Sequence, residues 1–174
     1  WVVPPSSSND DAALSVLATV LGGGRSGRLY ENLVRQQQLA SNIGAGKGES
    51  RGPGLFRFFV QVAPGKNPPD AEKAALAELE RVKTGGVQDW EVEKARSSAR
   101  RQMVSGLQSS LQRAVLLSQY ALFYNDPDRI NTRSKMISDV TAADVQRVAK
   151  QYLNEANRSV IVTTPKAAVR PGDK

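Results

Sequence analysis

Apolar residues along this chain change rhythm several times, and each change marks an element. Ala12, Ala13, Val16, Leu17, Val20 and Leu21 fall three and four apart, the stripe of a helix that turns one face inward. Asn9 or Asp10 supplies its N-cap, and Gly22-Gly23-Gly24 stops it. Trp1-Val2-Val3-Pro4 reads as the tail of a strand entering a Pro/Ser/Asn turn. A second helix is predicted over Arg28–Gln37, with Leu29, Leu33 and Val34 on one face. The period then shortens. Ala40–Ser50 and Leu55–Ala63 read as strands around the Arg51-Gly52-Pro53-Gly54 turn, an antiparallel hairpin. Its second strand keeps apolar residues on one side and places Arg57 and Gln61 on the other.

Helical spacing returns after Asn67-Pro68-Pro69-Asp70, a helix start with proline in the first turn. Ala71, Ala74, Ala75, Leu79 and Val82 follow before Thr84-Gly85-Gly86 ends the segment. A long helix is predicted from Asp89 to Phe123. Its stripe runs through Val92, Ala95, Ala99, Met103, Leu107, Leu111, Ala114 and Leu117, and Gly106 with the nearby serines is where it can bend. This stripe is expected in the core rather than at an interface. Asp126-Pro127 opens a short helix. Thr141-Ala142-Ala143-Asp144 is a capping box with Asp at the position of the usual Glu, leading a helix through Val145, Val148, Ala149 and Leu153. Arg158–Thr164 reads as a final apolar strand, Ser159-Val160-Ile161-Val162-Thr163. The order predicts an α+β fold, a mainly antiparallel sheet with helices packed on one face.

Composition narrows the chemistry. At 174 residues, 40% hydrophobic and 24% charged, the chain fits one domain, expected over residues 1–165 with a flexible tail at 166–174. It begins at Trp1 with no basic, apolar leader, and is expected to be an excerpt of a longer chain. Histidine and cysteine are both absent, which removes the commonest zinc ligands, catalytic bases and soft nucleophiles. Net charge is +7, from 24 Lys and Arg against 17 Asp and Glu. The basic residues are dispersed, and the densest group (Lys94, Arg96, Arg100, Arg101) is interleaved with Glu91 and Glu93. That is a solvated helix face, so neither nucleic acid nor a membrane is expected as a partner.

The sharpest motif is the glycine run. Gly22-x-Gly24-x-x-Gly27 formally matches a dinucleotide fingerprint, with Glu49 near the distance of a ribose-binding acid. The apolar spacing before it fits a helix better than a strand, and a hairpin follows rather than a second parallel strand. A dinucleotide-binding module using Gly22, Gly24 and Gly27 is therefore the alternative, behind a glycine helix stop. The neighbouring carboxylates Asp10/Asp11, Glu91/Glu93 and Asp126/Asp128 suit caps or exposed faces. No catalytic residue and no metal ligand is assigned.

Taken in series, several segments carry a resemblance. Ala13-x-x-Val16-Leu17-Ala18-x-Val20-Leu21-Gly-Gly-Gly-Arg-x-Gly-Arg-Leu29-Tyr30-x-x-Leu33-Val34 is followed by Gln38-Leu39-Ala40 and Glu91-x-x-Lys94-Ala95-Arg96. Tyr120-Ala121-Leu122-Phe123-Tyr124-x-Asp126-Pro127 and Thr141-Ala142-Ala143-Asp144-Val145-Gln146-x-Val148-Ala149-x-x-Tyr152-Leu153 come later. Together, from about Trp1 to Pro165, they resemble the non-catalytic, C-terminal-type half of pitrilysin/insulysin and mitochondrial-processing-peptidase zinc metallopeptidases. The resemblance implies two homologous α+β halves enclosing a peptide chamber, with zinc in one half on a His-x-x-Glu-His helix and a distant Glu. Ser15-Val16-Leu17-Ala18-Thr19 falls where those ligands would stand, so no zinc is expected in this chain, only in a catalytic half. That half, on the same chain or a separate subunit, and a peptide substrate are the implied partners. The family's substrate-holding Arg and Tyr align with Val34 and Ser41, with Arg35 one place away. A glycine-rich loop serves substrate recognition in the processing peptidases, which makes Gly22, Gly23, Gly24, Arg25, Ser26, Arg28 and Arg35 the candidate substrate-binding residues. A purely structural core-type subunit is a further alternative. The compartment is left open, bacterial periplasm or cytoplasm being the expected settings.

Overall fold

A computed structural model of the chain describes residues 1–164. Its first helix forms where the stripe predicts it: α1 spans Asp11–Gly22 and is buried along almost its whole length. The sheet it packs on has three strands, β1 (Val2–Val3), β2 (Ala40–Lys47) and β3 (Gly54–Val62), in the order β1-β3-β2 with both pairings antiparallel. Ile43 lies opposite Val60, Ala45 opposite Phe58, and Lys47 opposite Phe56. Phe56, Phe58 and Val60 point into the core, whereas Leu55, Arg57, Phe59 and Gln61 face outward. A register shift between Ala40 and Asn42 leaves Ser41 exposed, its hydroxyl donating to the Gln61 carbonyl at 3.3 Å.

Five further α-helices follow α1 among the described residues. Helix α2 (Pro68–Gly85) carries its two prolines in the first turn, where no intrahelical N–H is needed, and ends at Gly86 with φ +74°. Helix α3 (Asp89–Leu107) begins with a capping box in which the Glu91 carboxylate accepts from the Gln88 amide at 2.8 Å. Beyond α4 (Ser110–Tyr124), α5 is Arg129–Ser138 and α6 is Ala142–Tyr152. The Thr141/Asp144 box closes as predicted: the Asp144 amide donates to Thr141 Oγ1 at 3.1 Å, and the Thr141 amide to Asp144 Oδ2 at 3.0 Å. Helix α1 contacts α3, α5 and α6 on the side away from β2, so helices cover one face of the sheet. The α+β expectation holds.

Five local expectations do not. Arg28–Gln37 contains a π-helix, Tyr30–Gln36, whose wide turn is closed by the Gln37 amide donating to the Asn32 carbonyl at 2.9 Å. The helix predicted over Asp89–Phe123 breaks at Gln108-Ser109, where Ser109 caps α4 by accepting from the Gln112 amide at 3.3 Å. Its stripe is core only at the beginning. Val92 and Ala95 are buried, but Leu111, Val115, Leu117 and Leu122 on and beyond the break are exposed. Arg158–Thr164 forms no strand, and Val160, Ile161 and Val162 stand exposed. Asp10 occupies the N-cap position without a side-chain capping bond; its carboxylate is taken instead by Arg147 and the Tyr152 hydroxyl, both at 2.7 Å. The predicted tail at 166–174 lies outside the described residues.

One polar cluster locks this arrangement. Asp11, fully buried in the first turn of α1, is ion-paired to Lys47 of β2 and Arg133 of α5, with Arg129 at 3.8 Å. Arg129 also donates to the Ser6 carbonyl at 2.9 Å and lies 4.2 Å from the Tyr124 ring centroid. A buried carboxylate tolerates this environment only because cations surround it, and the cations come from separate elements.

Candidate functional site

The glycine run does three distinct structural jobs. A Cβ on Gly22 would lie 2.0 Å from the Ala45 amide nitrogen, so α1 reaches β2 this closely only because residue 22 has no side chain. Gly23 terminates α1, its amide donating to the Thr19 carbonyl at 2.8 Å. Gly24 has φ +70°, which reverses the chain into a short 3-10 turn, Gly24–Ser26. That turn presents Arg25 and Ser26 to solvent.

Beneath them opens a groove of about 670 Å³. The 3-10 turn supplies Arg25 and Ser26, the start of the next segment Arg28, the π-helix Glu31 and Arg35, α2 Glu78 and Arg81, and α3 Trp90, Glu91 and Lys94. The floor is an ion pair. Arg28 donates through Nε to Glu91 Oε1 at 2.6 Å and through a terminal nitrogen to Oε2 at 2.5 Å, with a further bond to the Gly86 carbonyl at 3.3 Å. Burial works against the Glu91 charge, but the bonds from Arg28 and the Gln88 amide outweigh it and hold the carboxyl below its ordinary range. The same hydrogen bond raises Arg28 above the usual guanidinium value. On the opposite wall, the buried Glu78 carboxylate is bound by the Asn32 amide and Arg81. Arg35 pairs with Glu31 at 3.2 Å one helical turn back, and Lys94 donates to the Ser26 carbonyl at 2.6 Å.

The structure therefore brings together four of the seven predicted substrate-binding residues, Arg25, Ser26, Arg28 and Arg35. Gly22, Gly23 and Gly24 shape the turn and do not line the groove. Trp90, Lys94, Glu78 and Arg81 were not singled out as site residues; α3 and α2 bring them across from distant sequence. An exposed Trp with a Lys one helical turn later was the available signal. At the positions aligned with the family's Arg and Tyr, Val34 packs against the core and Ser41 bonds to β3. Arg35, next to Val34, points to solvent instead.

The site does not fit a metal. Ser15 donates its hydroxyl to the Asp11 carbonyl at 2.8 Å, and Thr19 to the Ser15 carbonyl at 3.1 Å, so both are turned back on their own helix. Among the described residues no group of three His, Cys, Asp or Glu side chains is placed to hold a metal ion. A dinucleotide fingerprint requires a strand before the glycines and a parallel strand after the helix. Here α1 precedes them and an antiparallel hairpin follows, which removes that alternative.

Fold and site together define a peptidase-like scaffold without peptidase chemistry. The family described as Peptidase M16 inactive domain matches residues 1–99, and the chain belongs to it. It is a non-catalytic domain of the pitrilysin/insulysin-type zinc metallopeptidases. The zinc protease PqqE of Helicobacter pylori is 27% identical over 165 residues, 95% of this chain and 37% of that protein. An uncharacterized zinc protease of Mycobacterium tuberculosis H37Rv is 30% identical over 82% of this chain and 32% of its own length. The chain thus spans about a third of the length of these curated relatives. Among solved structures, an inactive peptidase domain from Bordetella parapertussis superposes with TM-score 0.86 at 29% identity, covering 98% of this chain and 91% of that one. A chain of complex III2 from Candida albicans, TM-score 0.75 at 14% identity over 86% of this chain and 38% of that one, shares the fold alone.

Proposed function

We propose that this domain lines the substrate chamber of a zinc peptidase and supports peptide binding for a zinc-bearing half on the same chain or a separate subunit. The observation that carries the reading is the groove at the glycine turn. A scaffold with no metal-holding cluster among the described residues nonetheless presents Arg25 and Ser26 over an open trough, on a turn whose geometry the glycines fix. Because Val34 and Ser41 offer no guanidinium and no phenol, the domain acts through this groove rather than by holding the substrate backbone at the metal.

Replacing Arg25 and Ser26 together with alanine tests this. Among the described residues neither side chain is bonded elsewhere, and the Ser26 contact to Lys94 uses its carbonyl, so folding is expected to be unchanged. Peptide turnover by the domain joined to its catalytic half is expected to fall, through a raised KM. Unchanged turnover would reduce the turn to architecture.

A further inference from the structure

Charge in the groove is balanced at its floor and far wall but not at its glycine end. Arg28 is neutralised by Glu91, Arg81 by Glu78, and Arg35 by Glu31. Two cations are left over. Among the described residues Arg25 makes no ion pair, and the Lys94 ammonium, though within the field of the already paired Glu91, has only the neutral carbonyl of Ser26 as its bonded partner. Both meet the groove at Ser26. Beside them Trp90 is 63% exposed, with Lys94 Nζ 5.6 Å from its ring centroid. An indole this exposed, beside two cations outside the groove's ion pairs, offers an apolar side chain a face to pack on.

We infer that the glycine end of the groove binds an acidic segment of a peptide, one carboxylate between Arg25 and Lys94 and a neighbouring apolar side chain on the Trp90 indole. The inference rests on the peptide-binding reading above and narrows it to a substrate class. The carboxylate makes charge-assisted bonds to two cations that are already positioned, while the three internal pairs keep the rest of the wall neutral. A basic segment is disfavoured, because every carboxylate lining the groove is already engaged. The indole gives a second, charge-independent contact that a bare polyanion does not use.

The test uses the chain itself and a short peptide rich in Asp and Glu around one Phe, together with a twin carrying Asn and Gln in their place. Binding is followed by calorimetry and by Trp fluorescence. The acidic peptide is expected to bind, more weakly as salt rises, and at least about tenfold more tightly than its neutral twin. Arg25→Glu and Lys94→Glu should each lose about tenfold, Trp90→Ala should weaken both peptides, and Arg101→Glu, outside the groove, should change nothing. Far-UV circular dichroism confirms that each variant is folded. Equal binding of the twin would overturn the acidic preference while leaving peptide binding intact. No binding of either peptide, or full binding by Arg25→Glu and Lys94→Glu, would overturn the site itself. Single-stranded DNA bound as tightly as the acidic peptide, and insensitive to Trp90→Ala, would make the patch a general polyanion surface and overturn the peptide assignment.

Discussion

Glu91 joins two elements through one carboxylate, accepting from Arg28 beyond the glycine turn and from the Gln88 amide at the start of α3. The carboxyl is held below its ordinary value of 4.5, so the folded state binds its proton less readily than the unfolded chain does. The contribution is therefore complete above 4.5 and is lost as pH falls through the lowered folded value. Urea unfolding of Glu91→Gln is expected to show lower stability at neutral pH and a shallower loss on acidification than the parent chain; parallel acid limbs would exclude the pair as a pH-dependent tie. At this scale the sequence shows that Gly22-Gly23-Gly24 ends a helix, because a stop is a local property. It does not show that Gly22 meets Ala45 or that Arg28 meets Glu91, since those contacts join residues far apart in the chain. Only the glycine-turn side of the groove was legible for the same reason: the turn's own residues are contiguous, whereas Trp90 and Lys94 arrive on another helix.

Helix α4 differs from the other long helices in having only Tyr120 buried. Leu111 and Leu122 are 75% and 66% exposed, although α4 continues the apolar spacing of α3. Periodicity records which face of a helix is apolar, but not what covers that face, so a stripe read as core turns out to be bare. The same limit applies to Ser159–Thr163, whose β-branched run predicts a strand while no neighbour among the described residues pairs with it. By contrast, the α1 stripe and the Ala40–Ala63 hairpin were read correctly, because each is covered by the other. Local stability follows coverage. Amide hydrogen exchange is expected to be much faster through α4 than through α1, whose Leu14, Leu17 and Leu21 are wholly buried. Equal protection of the two helices would show that α4 is covered in solution, and would locate an interface there.

The whole molecule shows how a zinc-peptidase scaffold stands without zinc chemistry. In helix α1 the Ser15 and Thr19 hydroxyls bond back to their own helix, and its one buried acid, Asp11, is held by Lys47 and Arg133. Freeing that acid for a metal would strand buried cations, at a cost of about 3–5 kcal/mol for breaking such a pair. The ion cluster thus ties α1 to β2 and α5 through charges that already satisfy one another. Zinc binding specific to the folded state would add about 2.7 kcal/mol at a hundredfold excess over its dissociation constant. For a chain of this size that is a rise of roughly 5–11 °C in melting temperature. Scanning calorimetry of the isolated chain with and without excess zinc is expected to give coincident transitions, and the chain alone is expected to leave peptides uncut. A zinc-dependent rise of that size, or hydrolysis that a chelator abolishes, would mean that this half builds a metal site of its own and that activity does not depend on a separate catalytic half.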